Sequence, residues 1–167
     1  MRLTLHLGVF EFPYSVHVPE SGRRAVSRLR GESKLEKFTA APAGAETTAD
    51  IATILEAKYH VIEIFYEQNT QEIADLVADS MAGSLETLMM GQVPRDPMLG
   101  AMSAIEKLFK NWILSGSMEK LGYPGVPTQA ALDGVNHALK LKKGPRRPSF
   151  KDTGLYMSAF HAWMSNG

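Results

Sequence analysis

Leu3, Leu5, Leu7 and Val9 alternate with Thr4, His6 and Gly8 at the start of the chain. A period of two gives a β-strand one apolar face. Pro13 interrupts the pattern, and Tyr14 to Val18 reads as a second short strand, forming a hairpin or an edge. His6 and His17 fall on the polar faces of these strands, and no partner spacing marks either as a metal ligand. Residues 19–46 lose the pattern. Pro19, Gly22, Gly31, Pro42 and Gly44 punctuate a stretch that carries Arg23, Arg24, Arg28, Arg30, Lys34 and Lys37. So long a stretch without periodicity predicts a mobile basic surface arm, or one that orders against a protein partner or nucleic acid.

From residue 47 the period becomes helical. Thr47 and Thr48 are N-cap candidates and Asp50 suits a first turn. Ile51, Ile62 and Ile73 recur every 11 residues, as do Leu55, Tyr66, Val77 and Leu88, and as do Ile54, Phe65 and Leu76. Eleven residues in three turns is close to the pitch of a straight α-helix. The repeat therefore predicts one amphipathic helix to Gly91, about 60 Å long at ~1.5 Å per residue. Asn69 with Glu72 resembles a capping box that would break it, but the phase runs through that point. Met98, Met102, Ile105, Phe109, Trp112 and Ile113 predict a second helix to about Leu114. Thr128 opens a third, with Leu132, Val135 and Leu139 on one face. Residues 155–164 read as a short helical turn followed by a strand.

These elements predict a single α+β domain over residues 1–167. A small N-terminal antiparallel sheet (1–18) precedes the arm (19–46). A helical core (47–139) follows, with one long amphipathic helix and two shorter ones. A basic linker and an Asp-Thr-Gly segment (140–167) end the chain, the C-terminal strand completing the sheet. The apolar run at the N-terminus is broken by Thr4 and His6, so no leader is expected. No run approaches the ~18 apolar residues of a membrane span, so a soluble chain is expected.

Eighteen basic and 18 acidic residues give zero net charge, which argues against general nucleic-acid binding. The distribution changes that picture. Residues 1–44 carry +3, residues 45–91 carry −8, residues 92–136 are balanced, and residues 137–167 carry +5. The absence of cysteine removes disulfides, thiol catalysis and Cys-ligated metals.

No constellation carries an enzyme. Asp152-Thr153-Gly154 matches the tripeptide of aspartic proteases, but Lys151 precedes it and only 13 residues follow. It reads instead as a cap and tight turn. Glu56, His60, Glu63 and Glu67 share a helix face, yet the His-x-x-Glu order is reversed relative to di-iron bundles and has no second copy. Asp133 and His137 lack a third ligand. No phosphate loop or nucleophile elbow occurs. Catalytic residues, metals and cofactors are therefore not expected. The basic cluster Lys140, Lys142, Lys143, Arg146, Arg147 and Lys151 lies beside Phe150, Tyr156, Phe160 and Trp163. Arg and aromatics together suit a subunit interface or a nucleic-acid patch. Zero net charge favours the interface, with Glu56, Glu63, Glu67, Asp75, Asp79 and Glu86 as the opposing acidic face.

Gly125-Val126-Pro127-Thr128, the helix from Ala130 to Leu139, and then Arg147-Pro148-Ser149-Phe150-x-Asp152-Thr153-Gly154-Leu155-Tyr156-x-x-x-Phe160-x-x-Trp163 resemble tailed-bacteriophage virion proteins. The resemblance is to the tail-completion (head–tail joining, or neck) group, whose members commonly end in Pro-x-x-Asp-Thr-Gly-x-Leu after a basic linker. It covers about residues 120–165, and more weakly 48–90. It implies a non-enzymatic α+β subunit of a homo-oligomeric ring near the head–tail junction or tail end. Its partners would be copies of itself and other neck, portal or tail proteins. Assembly would take place in the bacterial host cytoplasm, with the virion as destination. The alternative is a phage protein whose basic arm and C-terminal cluster contact DNA.

Overall fold

The computed structural model describes residues 3–12, 47–94, 96–135, 143–151 and 154–166. The order of elements is β1 (Leu3–Val9), α1 (Thr48–Tyr59), α2 (Val61–Met89), α3 (Leu99–Leu114), α4 (Ser117–Lys120), α5 (Gln129–Leu132), α6 (Leu155–Ala159) and β2 (Phe160–Asn166). This is a mixed α+β fold. The second short strand expected at residues 14–18, His17 and the basic arm at 19–46 lie outside the described residues.

β1 and β2 form a two-stranded antiparallel sheet in which Leu3 faces Asn166 and Val9 faces Phe160. The register puts Leu5, Leu7 and Val9 on the same face as Met164, Ala162 and Phe160, and this face packs on the core. The alternation of residues 3–9 is thus the print of a half-buried strand. The end of β1 is tied to the start of α1. Thr48, almost fully buried, donates its hydroxyl to the Phe10 carbonyl and accepts from the Phe12 amide at 2.7 Å. The Thr48 amide returns to the Phe12 carbonyl at 2.7 Å. One residue earlier, Thr47 and Asp50 form a reciprocal capping box. Its hydrogen bonds also hold the Asp50 carboxyl below the ordinary carboxylate range.

The single long helix expected over residues 47–90 is two helices. His60 adopts a left-handed conformation (φ 51°, ψ 45°) and ends α1. The Glu56 carboxylate accepts the amides of Ile62 at 2.8 Å and Glu63 at 3.0 Å, two of the donors that a new helix leaves unpaired. The break weighed at Asn69 is a kink within α2. Asn69 sits at φ −118°, ψ 15°, and its side-chain amide donates to the Phe65 carbonyl at 2.7 Å.

α3 is the hub. Met102, Ile105, Phe109, Trp112 and Ile113 are buried, as their helical spacing predicts. Phe109 stacks on Phe160 of β2 with ring centres 3.9 Å apart, and meets Phe65 of α2 edge-on at 5.0 Å. Trp112 lies 5.7 Å from Phe65, and Tyr156 of α6 lies 5.9 Å from Phe109. Ser80 and Ser84 donate to the Pro97 carbonyl and buckle α2 to the start of α3.

The third expected helix lasts a single turn. Thr128 caps it, its hydroxyl accepting from the Ala131 amide at 3.3 Å. Gly134 then turns the chain at φ 63°. A side chain at Gly134 would meet the backbone of Gly144 and Pro145 at 2.4 Å, because the returning segment crosses there. Leu132 is left exposed and Val135 accepts from a side chain instead of continuing a helix. Leu139 is outside the described residues.

Two substitutions test this core. Phe109→Ala is expected to cost about 3–5 kcal/mol in urea unfolding, against less than about 0.5 kcal/mol for exposed Leu132→Ala. The buried Tyr156 hydroxyl has no hydrogen-bond partner among the described residues. Tyr156→Phe removes that unpaired group and is expected to leave stability unchanged or raise it by about 1 kcal/mol.

Candidate functional site

The acidic residues of the long helical region divide by role. Glu63, Glu67, Asp75, Asp79 and Glu86 are exposed on α2, together with Glu72. From Tyr59 to Pro94 the chain contains these six acids and no Lys or Arg. Two of them have local partners: Glu63 accepts from His60 at 2.8 Å, and Asp75 accepts from Gln71 at 2.9 Å. Glu56 does not belong to this face. It is half-buried, with both carboxylate oxygens engaged by the α2 amides.

Glu56, His60 and Glu63 offer ligand atoms within 4.8 Å of one another, whereas Glu67 stands apart from the group. The geometry is that of a helix cap. The positive end of the α2 dipole points at the cluster, which suits a carboxylate and opposes a cation.

The basic segment is partly spent inside the molecule. Arg146 pairs with Glu119 at 3.1 Å, and Arg147 donates from Nε to the Val135 carbonyl at 2.8 Å. Lys143 and Lys151 are exposed and make no ion pair with the described residues. Lys140 and Lys142 are outside them. Glu119 organises this end of the fold. It accepts the Ser149 amide and hydroxyl, both at 2.8 Å, besides Arg146. Burial pushes its carboxyl pKa up, but the Ser149 hydroxyl and amide and the Arg146 guanidinium outweigh burial and hold it below the ordinary value. A cleft of about 460 Å³ opens beside it, with Lys120, Arg146 and Arg147 in its lining.

The four aromatics grouped with this cluster do not share one surface. Tyr156 and Phe160 are core residues, which corrects their placement at an interface. α6 and β2 turn them inward against Phe109, and burial drives the Tyr156 phenol pKa well up, with the Glu56 charge adding to it. Phe150 is half-buried at φ 65° and packs edge-on against Tyr59 at 5.3 Å. Only Trp163, 43% exposed, faces solvent. Asp152 and Thr153 are outside the described residues. Gly154 takes φ 78° and leads into α6.

Two features escaped the sequence reading. The outer face of the sheet carries a ladder of rings: Phe10 on His161 (4.4 Å), His161 on Trp163 (6.0 Å) and Trp163 on His6 (5.2 Å). Gly8 leaves room for the indole, since a side chain there would meet Trp163 at 3.1 Å. His6 bonds Ser165 at 2.7 Å and His161 bonds Glu106 at 2.5 Å. The rings lie against each other across the two strands, so the ladder clasps β1 to β2. Only the strand register reveals it. The second feature is apolar. Leu85, Leu88, Met89, Met90, Val93 and Leu99 are all exposed around the α2–α3 turn, Met89 at 88%. Their spacing in the sequence was a readable signal.

Among the described residues no helix is long and apolar enough to cross a membrane. No protein-family model, curated protein or solved structure matches the chain.

Glu119 gives a pH test. Its pKa is lower folded than unfolded, so its contribution is fully present above the unfolded value near 4.5 and is lost as pH falls through the folded value. Acid unfolding of Glu119→Gln is expected to lose that part of the pH dependence. Glu119→Ala, which strands the Ser149 donors, is expected to cost about 1–3 kcal/mol at neutral pH.

Proposed function

We propose that this chain is a non-enzymatic structural subunit of a tailed-bacteriophage virion. It acts at the head–tail junction or tail end by assembling with copies of itself into a ring. The resemblance of residues 125–163 to the tail-completion group supports the virion class. The observation that carries assembly is the cation-free acidic face of α2, set against exposed Lys143 and Lys151 near the other end of the chain. Six carboxylates on one helix without a Lys or Arg repel each other unless a partner supplies the countercharge. A ring needs one face of a subunit to meet a different face of its neighbour. Opposite charge on the two faces steers and orients that contact. Other neck, portal or tail proteins could extend it by the same chemistry, and DNA contact is not needed for it.

The internal pair of Arg146 with Glu119 dictates the variant. Reversing Arg146 would place a carboxylate beside Glu119 and damage the subunit itself, whereas Lys143 and Lys151 are free of that problem. Native mass spectrometry at ~50 mM and ~500 mM salt spans strong to weak screening. Species larger than a dimer are expected at low salt, receding at high salt and diminished in Lys143→Glu/Lys151→Glu. A wild-type chain with nothing above a dimer at low salt, or larger species indifferent to the double reversal, would discard the proposal.

A further inference from the structure

The outer face of α2 carries a second pattern, separate from its acids. Ala74, Ala78, Met81, Leu85 and Leu88 follow one another at steps of four, three, four and three residues, and all five are exposed. That is the spacing of a coiled-coil seam. α3 does not cover it. Ser80 and Ser84, which touch the Pro97 carbonyl, lie on the neighbouring stripe that faces α3. The seam is small at one end and large at the other: two alanines, then Met81, Leu85 and Leu88.

We propose that this stripe is an interface between two copies of the chain, with the two α2 helices packed antiparallel. Antiparallel packing sets the small end of one seam against the large end of the other. Met81 then lies near the second copy's Ala78, and Leu85 near the second copy's Ala74. Parallel packing would set alanine on alanine and leave a gap there. Charge permits the pairing. Glu72, Asp79 and Glu86 lie roughly 120–160° around the helix from the seam centre at ~100° per residue. Asp75 flanks the seam, and in the antiparallel arrangement it falls near the second copy's Ala82 and not near another acid. The exposed tip residues Met89, Met90 and Val93 extend the apolar surface beyond the helix end.

The size of the patch sets the strength. Met81, Leu85, Leu88 and Met89, all within about 60° of the seam centre at ~100° per residue, are each at least 45% exposed. At ~100 Å² of buried surface per fully covered aliphatic side chain they supply on the order of 400 Å² per copy. The total of ~800 Å² lies below a standard specific interface, so the pair is a weak, concentration-dependent one. This contact stands apart from the charge-directed ring contact, because it is apolar and salt strengthens or spares it.

Sedimentation velocity on the full chain from ~1 to ~100 µM tests the pairing, repeated at ~50 and ~500 mM salt. A monomer–dimer equilibrium that persists at high salt is expected. Leu85→Glu should weaken it at least about 100-fold with unchanged helix content, because a carboxylate cannot be buried in the seam. The native chain has no cysteine, so oxidising an equimolar mixture of Ala78→Cys and Met81→Cys chains should cross-link them as the mixed pair, whereas Gly83→Cys on the opposite face should not cross-link. A monomer at every concentration overturns the proposal, and slow thiol labelling of Met81→Cys in that monomer assigns the stripe to another part of the same chain. A dimer that ignores Leu85→Glu and dissolves in salt also overturns it, while leaving the charge-directed contact standing.

Discussion

The stacking of Phe109 on Phe160 holds the molecule together. Phe109 comes from the middle of α3 and Phe160 from the first position of β2. Around them close Phe65 of α2, Trp112 of α3 and Tyr156 of α6. A two-stranded sheet is marginal in water without a surface to lie on. Here the surface is α3, and the aromatic nest is the point where sheet and helices share one core. It also explains why Tyr156 and Phe160 are not available to partners. Their size and flat faces are spent on the fold before anything can dock.

Local periodicity carried the fold a long way. The alternation at residues 3–9 puts Leu5, Leu7 and Val9 against the core, and the stripe from Met102 to Ile113 is buried at helical spacing. The break at His60 was invisible because the 11-residue repeat runs through it in the sequence; in the fold the phase does not hold, since Phe65 is buried while Ile54 is exposed, and Tyr66 and Leu88 are exposed while Leu55 and Val77 are half-buried. The deciding contact is Glu56 folding back onto the amides of Ile62 and Glu63, and no hydrophobic pattern encodes it. The end of α5 was likewise set from afar, by the backbone of residues 144 and 145 crossing Gly134.

The candidate surfaces were legible as composition and not as geometry. The charge excess of residues 45–91 was visible, and the acids from Glu63 to Glu86 do form an exposed row. Which cations stay free was not visible, because Arg146 and Arg147 are taken by groups 27 and 12 residues away. Aromatic residues beside a basic run look alike in sequence whether they serve a core or an interface. Only the register of β2 against β1 separates Trp163, facing out, from Phe160, facing in.

That register has a consequence for how the chain is made. β1 is made before every other element described, and its partner lies some 150 residues later, Val9 pairing with Phe160. At ~5–20 residues per second, β1 waits on the order of 10 to 30 s with its leucines uncovered. α1, α2 and α3 are complete before then, so the helical part can order first and the sheet closes last, on a surface already built. The aromatic ladder across the two strands then acts as a late fastener. Any delay or truncation near residue 160 would leave a helical intermediate with a sticky strand, the form of this molecule most exposed to chaperones and proteases.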